Sequence, residues 1–163
     1  MLNKYPKSYY NEIRDRIFGA NMDEKEFFYK LGKLIYRIDG AYEAYGRNGK
    51  IGSPNLLWIL YALNDGGKHS QKQLCDEWAI PRSTANTIIK DLESKRYVTL
   101  SQIKGERREL LVSLTAEGRK YADGILSDLY QREKNIYDNI HDPDELLAAL
   151  QDLSAKVQLI AKK

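Results

Sequence analysis

Cysteine is almost absent from this chain, and histidine, methionine and proline are sparse. The single thiol, Cys75, excludes an intramolecular disulfide. With Leu74 and Trp78 as its apolar neighbours on a helix, it reads as a small buried hydrophobe rather than an oxidant sensor. Two histidines, His69 and His141, stand far apart in sequence, His69 as a loop residue and His141 as a solvated one. Together with scattered acids they offer no metal-ligand spacing, so no metal and no cofactor are expected. There is no HExxH, no CxxC, no Walker glycine loop and no G-x-S-x-G. Gly66-Gly67-Lys68 lacks the upstream strand and spacing of a phosphate loop. An enzyme is therefore not expected, for want of a convergent nucleophile, base or metal set. No apolar run approaches the ~18 residues of a membrane span. The start, MLNKYPKSYYNEIRD, lacks the apolar core of a signal peptide, so the reading is cytoplasmic and not membrane-bound.

What is present is concentrated between Ser70 and Thr115. Ser70 and Gln73 have capping-box spacing. Leu74 and Trp78 share one helix face, leaving Lys72, Asp76 and Glu77 in water. The pattern breaks at Ala79-Ile80-Pro81, because proline excludes helical geometry at the preceding residue and suits the first turn of a new helix. The second helix, roughly 81 to 94, has Ala85, Ile88, Ile89 and Leu92 at the spacing of a buried stripe. Its other face carries Arg82, Ser83, Thr84, Asn86, Thr87 and Lys90, with no acid before Asp91. Ordinary exposed helix faces are rich in Glu and Lys. This one suits phosphates and base edges: Asn86 could pair with adenine, and Arg82 with guanine or a phosphate.

A two-stranded ribbon follows. Tyr97–Ser101 alternates, and 110–114 does so if Leu110, Val112 and Leu114 face inward. Between them, Gly105 permits a tight turn and Lys104, Arg107 and Arg108 form a cationic tip; a narrow minor groove attracts inserted arginine. Charged hairpin tips also occur simply for solubility. The net charge is only +3, but residues 68–108 hold nine Lys and Arg against five Asp and Glu, and the remainder 17 against 18. Positive charge thus gathers on the segment proposed to face phosphate.

Around this segment lie long amphipathic helices. A short helix is expected at about 8–18. Asn21 and Glu24 have capping-box spacing before a stripe of Phe27, Leu31, Leu34, Ile35, Ile38, Tyr42 and Tyr45, closed by Gly46 and Gly49. Ser53-Pro54 opens a helix to Asn64 that is apolar nearly all round, hence central to the core. Thr115 can cap a helix to about Ile140, with Tyr121, Ile125, Leu129, Ile136 and Ile140 on one side. Asp142-Pro143-Asp144-Glu145 caps the last helix, whose stripe is Leu146, Leu150, Leu153, Val157 and Ile160. The helix, turn, second helix and ribbon make, in that order, a winged helix-turn-helix whose second helix is the recognition helix. This unit has a core of its own, so the flanking stripes need another surface. A homodimer would bury them and set two recognition helices about one DNA turn apart, as half-sites ~10 bp apart require.

The helix-turn-helix SQKQLCDEWAIPRSTANTIIKDLE and the wing-to-helix segment GERRELLVSLTAEG together resemble the MarR family of bacterial transcription regulators. Glu106 stands where the family usually has Asp, Arg108 stands at its wing-tip Arg, and V-x-L-T leads into a long helix. The resemblance spans about Asp23 to Ile160. Two positions depart from it: Arg96 replaces the usual Gly after the recognition helix, and Pro81 replaces a Ser or Thr cap. The family's thiol sensors carry cysteine in the first long helix, where this chain has none.

The resemblance implies a mainly α fold with a small β-hairpin wing: a winged helix-turn-helix with N- and C-terminal dimerisation helices. Its parts would be 1–50 for dimerisation, 51–115 for DNA binding and 116–163 for dimerisation. It implies a homodimeric repressor of double-stranded DNA, with the recognition helix in the major groove and the wing in the minor groove. It also implies a small aromatic effector, for which Tyr36, Tyr42, Tyr45, Trp58 and Tyr61 are candidates; aromatics on helical stripes can equally be plain core. The alternative is a winged-helix scaffold that docks another protein without reading DNA.

Overall fold

A computed structural model describes Ser8 and residues 22–47, 51–103 and 106–161, except the side chains of 103, 106–109 and 161. The expected helix at 8–18, the Asn21 cap, the loop residues 48–50 and the turn at Lys104-Gly105 lie outside the described residues. The chain forms two compact units, Met1–Pro54 and Asn55–Lys163.

In the first unit, helix α1 runs Glu24–Arg47. Its start is fixed by Asp23, whose carboxylate accepts from the Glu26 backbone N–H at 2.8 Å. The described helix therefore starts directly after Asp23. Its apolar stripe is formed as expected, yet Phe27, Leu34, Ile35 and Ile38 remain exposed within the chain. Gly46 closes the helix against Pro54: a Cβ there would lie 2.7 Å from the Pro54 Cα.

The second unit contains the winged helix. Helix α2, Pro54–Leu63, begins at the unit boundary and buries Leu57, Ile59, Leu60 and Leu63. A two-residue strand β1, His69–Ser70, leads into α3, Gln71–Glu77, and then α4, Arg82–Ser94. Strands β2, Val98–Ile103, and β3, Glu106–Leu114, form the ribbon. The antiparallel sheet has the order β1-β3-β2. Helices α5, Ala116–Tyr137, and α6, Pro143–Val157, follow, with a 3₁₀ turn at Gln158–Ala161. The core gathers Leu57, Leu60 and Leu63 with Leu74, Ala85, Ile89, Leu92, Val98, Val112, Ala122, Leu126 and Leu129.

Local chemistry sets these boundaries. Ser70 forms the full capping box: its hydroxyl accepts from Gln73 N–H at 3.1 Å, and the Gln73 side chain accepts from Ser70 N–H at 2.8 Å. Thr115 accepts from Gly118 N–H, and Asp142 from Glu145 N–H, at the starts of α5 and α6. Gly118 is required there. A Cβ at this position would sit 1.8 Å from the Tyr97 carbonyl oxygen.

Several expectations need correction. Leu110 does not face inward; it is exposed where β3 pairs Gln102, next to a register shift at Gln102/Ile103, whereas Val112 is buried. Helix α5 ends at Tyr137, not Ile140, because Asn139 and Ile140 N–H bond three residues back to Ile136 and Tyr137. Its Ile125 and Leu129 are buried, while Ile136 is exposed. No residue of α6 is buried, and Leu146, Leu147, Leu150 and Val157 lie open.

Candidate nucleic-acid interface

Two left-handed residues hold the helix-turn-helix in shape. After α3, Ala79 takes φ 51°, and Ile80 N–H reaches back to the Cys75 carbonyl at 3.1 Å. After α4, Arg96 takes φ 60°; its N–H donates to the Glu93 carbonyl at 2.9 Å, and Tyr97 N–H to Leu92 at 2.8 Å. This 6→1 and 5→2 pair is a Schellman ending, normally reserved for glycine. Arg96 therefore adopts the left-handed geometry that glycine usually supplies, at the cost of a Cβ clash. Pro81 supplies no capping side chain, also as expected, and Ala85 N–H bonds the Pro81 carbonyl.

Held this way, α4 buries Ala85, Ile89 and Leu92, with Ile88 half-buried beside them. Arg82, Ser83, Asn86, Thr87 and Lys90 are exposed on the opposite side, and Thr84 is half-buried at its edge. The offsets 82, 83, 86, 87 and 90 trace one continuous helical ridge. Among the described residues no acid pairs with Arg82 or Lys90. The first carboxylate beyond the ridge, Asp91, is engaged by Lys95 at 2.7 Å, and that hydrogen bond raises the Lys95 pKa. The ridge is thus cationic and hydrogen-bonding, free of the negative charge that would repel phosphate. Gln71 ties α3 to α4 through the Arg82 carbonyl at 3.4 Å.

Arg107 and Arg108 lie on β3, but their side chains, and all of Lys104, are outside the described residues. The ribbon that carries them is anchored at its base. Thr99 and Ser113 hydroxyls meet across β2 and β3 at 3.2 Å. His69, read above as a loop residue, instead pairs Val112 in the sheet and places Nε2 3.0 Å from both Asp65 carboxylate oxygens. Asp65 also accepts from Gly67 N–H at 2.6 Å, and these bonds, His69 first, lower its pKa. A two-residue strand carries no periodicity, so only the i, i+4 spacing of Asp65 and His69 could have signalled this tie.

The effector candidates fall into separate groups. Tyr36 is exposed on α1, while Tyr42 and Tyr45 are half-buried. Tyr36 and Tyr45 are nine residues apart, half a turn out of phase, so α1 directs them to opposite sides. In the other unit, Trp58 stacks on Trp78 with ring centres 5.0 Å apart, and Tyr61 meets Trp78 and Tyr130 edge-on. The Tyr61 hydroxyl donates to Glu133 at 3.1 Å. Trp58 and Tyr61 thus help join α2 to α3 and α5, a role the helical stripe alone did not reveal. Cys75 is buried, and burial pushes its thiol pKa up, which suits packing rather than reactivity. Among the described residues no group of three or more His, Cys, Asp or Glu could hold a metal ion. No helix among them is long and apolar enough to cross a membrane.

Comparison with known proteins centres on this region. The MarR family profile matches residues 53–109. The HTH-type transcriptional repressor NicR of Pseudomonas putida is 34% identical over 67 residues, which cover 41% of this chain and 42% of NicR. The chain spans less than half the length of the curated relatives it matches. Among solved structures, NMB1585, a MarR family regulator from Neisseria meningitidis, superposes with a TM-score of 0.69 at 22% identity, covering 86% of this chain and 96% of that one. NadR, solved in complex with 4-hydroxyphenylacetate, gives a TM-score of 0.64 at 20% identity, covering 84% and 95%. At these identities the structural likeness establishes the winged-helix fold.

Proposed function

We propose that the chain is a sequence-specific, double-stranded DNA-binding transcription regulator, not an enzyme, a reading supported by the match of residues 53–109 to the MarR family profile. The observation that carries this reading is the exposed, carboxylate-free ridge of Arg82, Ser83, Asn86, Thr87 and Lys90, with Thr84 at its edge. It enters the major groove, where arginine and asparagine read base edges and lysine holds phosphate. Lys104, Arg107 and Arg108 of the wing meet the adjacent minor groove. Residues 51–115 bind DNA, and 1–50 and 116–163 dimerise. The exposed stripes of α1 and α6 support a homodimer, since apolar surface of this extent is rare on a monomer. The paired ridges read a palindrome with half-sites about one turn apart, ~10 bp. Repression follows if the operator overlaps a promoter, in keeping with NicR's designation as a repressor. Such a regulator works in the cytoplasm and needs no cofactor.

A small aromatic effector releasing the DNA is the further part of this reading. Tyr36, Tyr42, Tyr45, Trp58 and Tyr61 are its candidate contacts, and NadR's complex with 4-hydroxyphenylacetate supports the ligand class. Such a ligand acts only if it binds the DNA-incompetent spacing of the two ridges more tightly than the competent one. The test of DNA reading is selection of bound duplexes from a random pool, followed by affinity across a salt series. A palindromic motif and a steep fall in affinity with salt are expected. Absence of any enriched duplex would favour the protein-docking alternative.

A further inference from the structure

The ridge is not chemically uniform, and one hydrogen bond makes it less so. The Thr87 hydroxyl donates to the Ser83 backbone carbonyl, one turn earlier in α4, at 3.0 Å. This i−4 bond commits the only proton the side chain has. The hydroxyl oxygen can still accept, but it has no hydrogen to offer the guanine or adenine acceptors of the major groove. What else Thr87 presents is its Cγ2 methyl. Among the exposed ridge residues 82, 83, 86, 87 and 90 it is the sole methyl-bearing side chain. Ala85 is buried and Thr84 is half-buried at the edge.

We propose that Thr87 is a specificity-determining residue that selects thymine in each half-site, through contact between its Cγ2 methyl and the thymine C5 methyl. The inference rests on the DNA-binding reading above and refines it. The division of labour follows from chemistry. Arg82, Asn86 and Lys90 supply donors, Asn86 also an acceptor, while Thr87 supplies the apolar point on the ridge that recognises a base by its methyl group. The major groove offers one such group, on thymine, so the contact separates thymine from cytosine without a hydrogen bond. Donation from the hydroxyl to a purine would first require breaking the bond to Ser83, which the helix keeps satisfied.

The experiment uses the full chain and the tightest duplex recovered from a random pool. Each thymine is replaced in turn by deoxyuridine, which pairs identically and lacks only the methyl. One symmetric pair of positions should lose affinity about fourfold per half-site, roughly 15-fold for both, the factor that burial of one methyl confers. Thr87→Val, which keeps the methyl and removes the hydroxyl, should retain that uracil penalty. Thr87→Ser, which keeps the hydroxyl and removes the methyl, should abolish it. Matched thermal melts of both variants and the parent would show that neither effect comes from unfolding. A uracil penalty unchanged in Thr87→Ser, or lost in Thr87→Val, overturns the assignment, as does a duplex indifferent to every thymine replacement. If no duplex is bound in preference to any other, the DNA-binding reading fails with it, and the two failures are distinct.

Discussion

Replacing Gly118 by alanine tests how the wing is fastened to the rest of the winged helix. The Thr115 hydroxyl donates to the Arg96 carbonyl at 2.8 Å and accepts from Gly118 N–H at 2.9 Å, while Thr115 N–H donates to the Tyr97 carbonyl at 3.0 Å. The Gly118 Cα therefore lies against the Tyr97 backbone, and an added Cβ would meet that oxygen at 1.8 Å. Relief requires a movement of more than about 1 Å by backbone that is hydrogen-bonded on both sides. Overpacking of this kind costs about 1–3 kcal/mol. Losing the Thr115 cap or its backbone bond adds about 1 kcal/mol. The gain in helix propensity from Gly to Ala returns about 1 kcal/mol. The balance is a destabilisation of about 1–3 kcal/mol. Urea unfolding followed by circular dichroism, at fixed protomer concentration, measures it. Gly124→Ala is the internal control, because that glycine also lies in α5 but a Cβ there meets nothing within 4 Å. It should stabilise by up to about 1 kcal/mol. If Gly118→Ala stabilised the protein as Gly124→Ala does, the proposed fastening would be wrong.

Three further outcomes are expected. Arg96→Gly should stabilise by about 1 kcal/mol, since it removes the left-handed strain at φ 60° while keeping the Schellman bonds; a loss of stability would show that the arginine side chain contributes more than its backbone costs. Asp65 is held below its usual carboxylate range by His69 and Gly67 N–H, so it adds stability above about pH 4 and loses that contribution as pH falls through its lowered folded value. Asp65→Asn should therefore flatten the acid limb of a stability–pH curve, and an unchanged limb would contradict the pairing. Leu150, 45% exposed on α6, should be covered in the proposed homodimer, so Leu150→Glu should weaken association by about 2 kcal/mol or more per protomer in sedimentation equilibrium.

The sequence revealed the parts of this fold that rest on local chemistry. Ser70, Thr115 and Asp142 cap helices as their spacing implies, and the stripe of Ala85, Ile89 and Leu92 fixes which side of α4 faces out. Features created by pairing over distance were not legible. The β1 strand exists because His69 and Ser70 find Val112 and Leu111 more than forty residues on. Leu110 alternates correctly but lies opposite Gln102, next to the irregular end of the ladder, and is exposed. A non-glycine at Arg96 does not announce a positive φ, and only the folded chain shows the left-handed conformation there. Along α1 and α6 the apolar stripes were readable, and the side chains of Leu34, Ile38, Leu146 and Leu150 on them are exposed. Half-turn geometry likewise divides Tyr36 from Tyr45, a separation that a list of aromatic residues conceals.

The central claim is that the α4 ridge reads base sequence, and Asn86 tests it most directly. Asn86→Ala is titrated by fluorescence anisotropy against the selected duplex and against a shuffled duplex of equal length and composition, at one salt concentration. The account predicts a loss of about 1–3 kcal/mol on the selected duplex and little change on the shuffled one. Equal losses on both, or none on either, would contradict it.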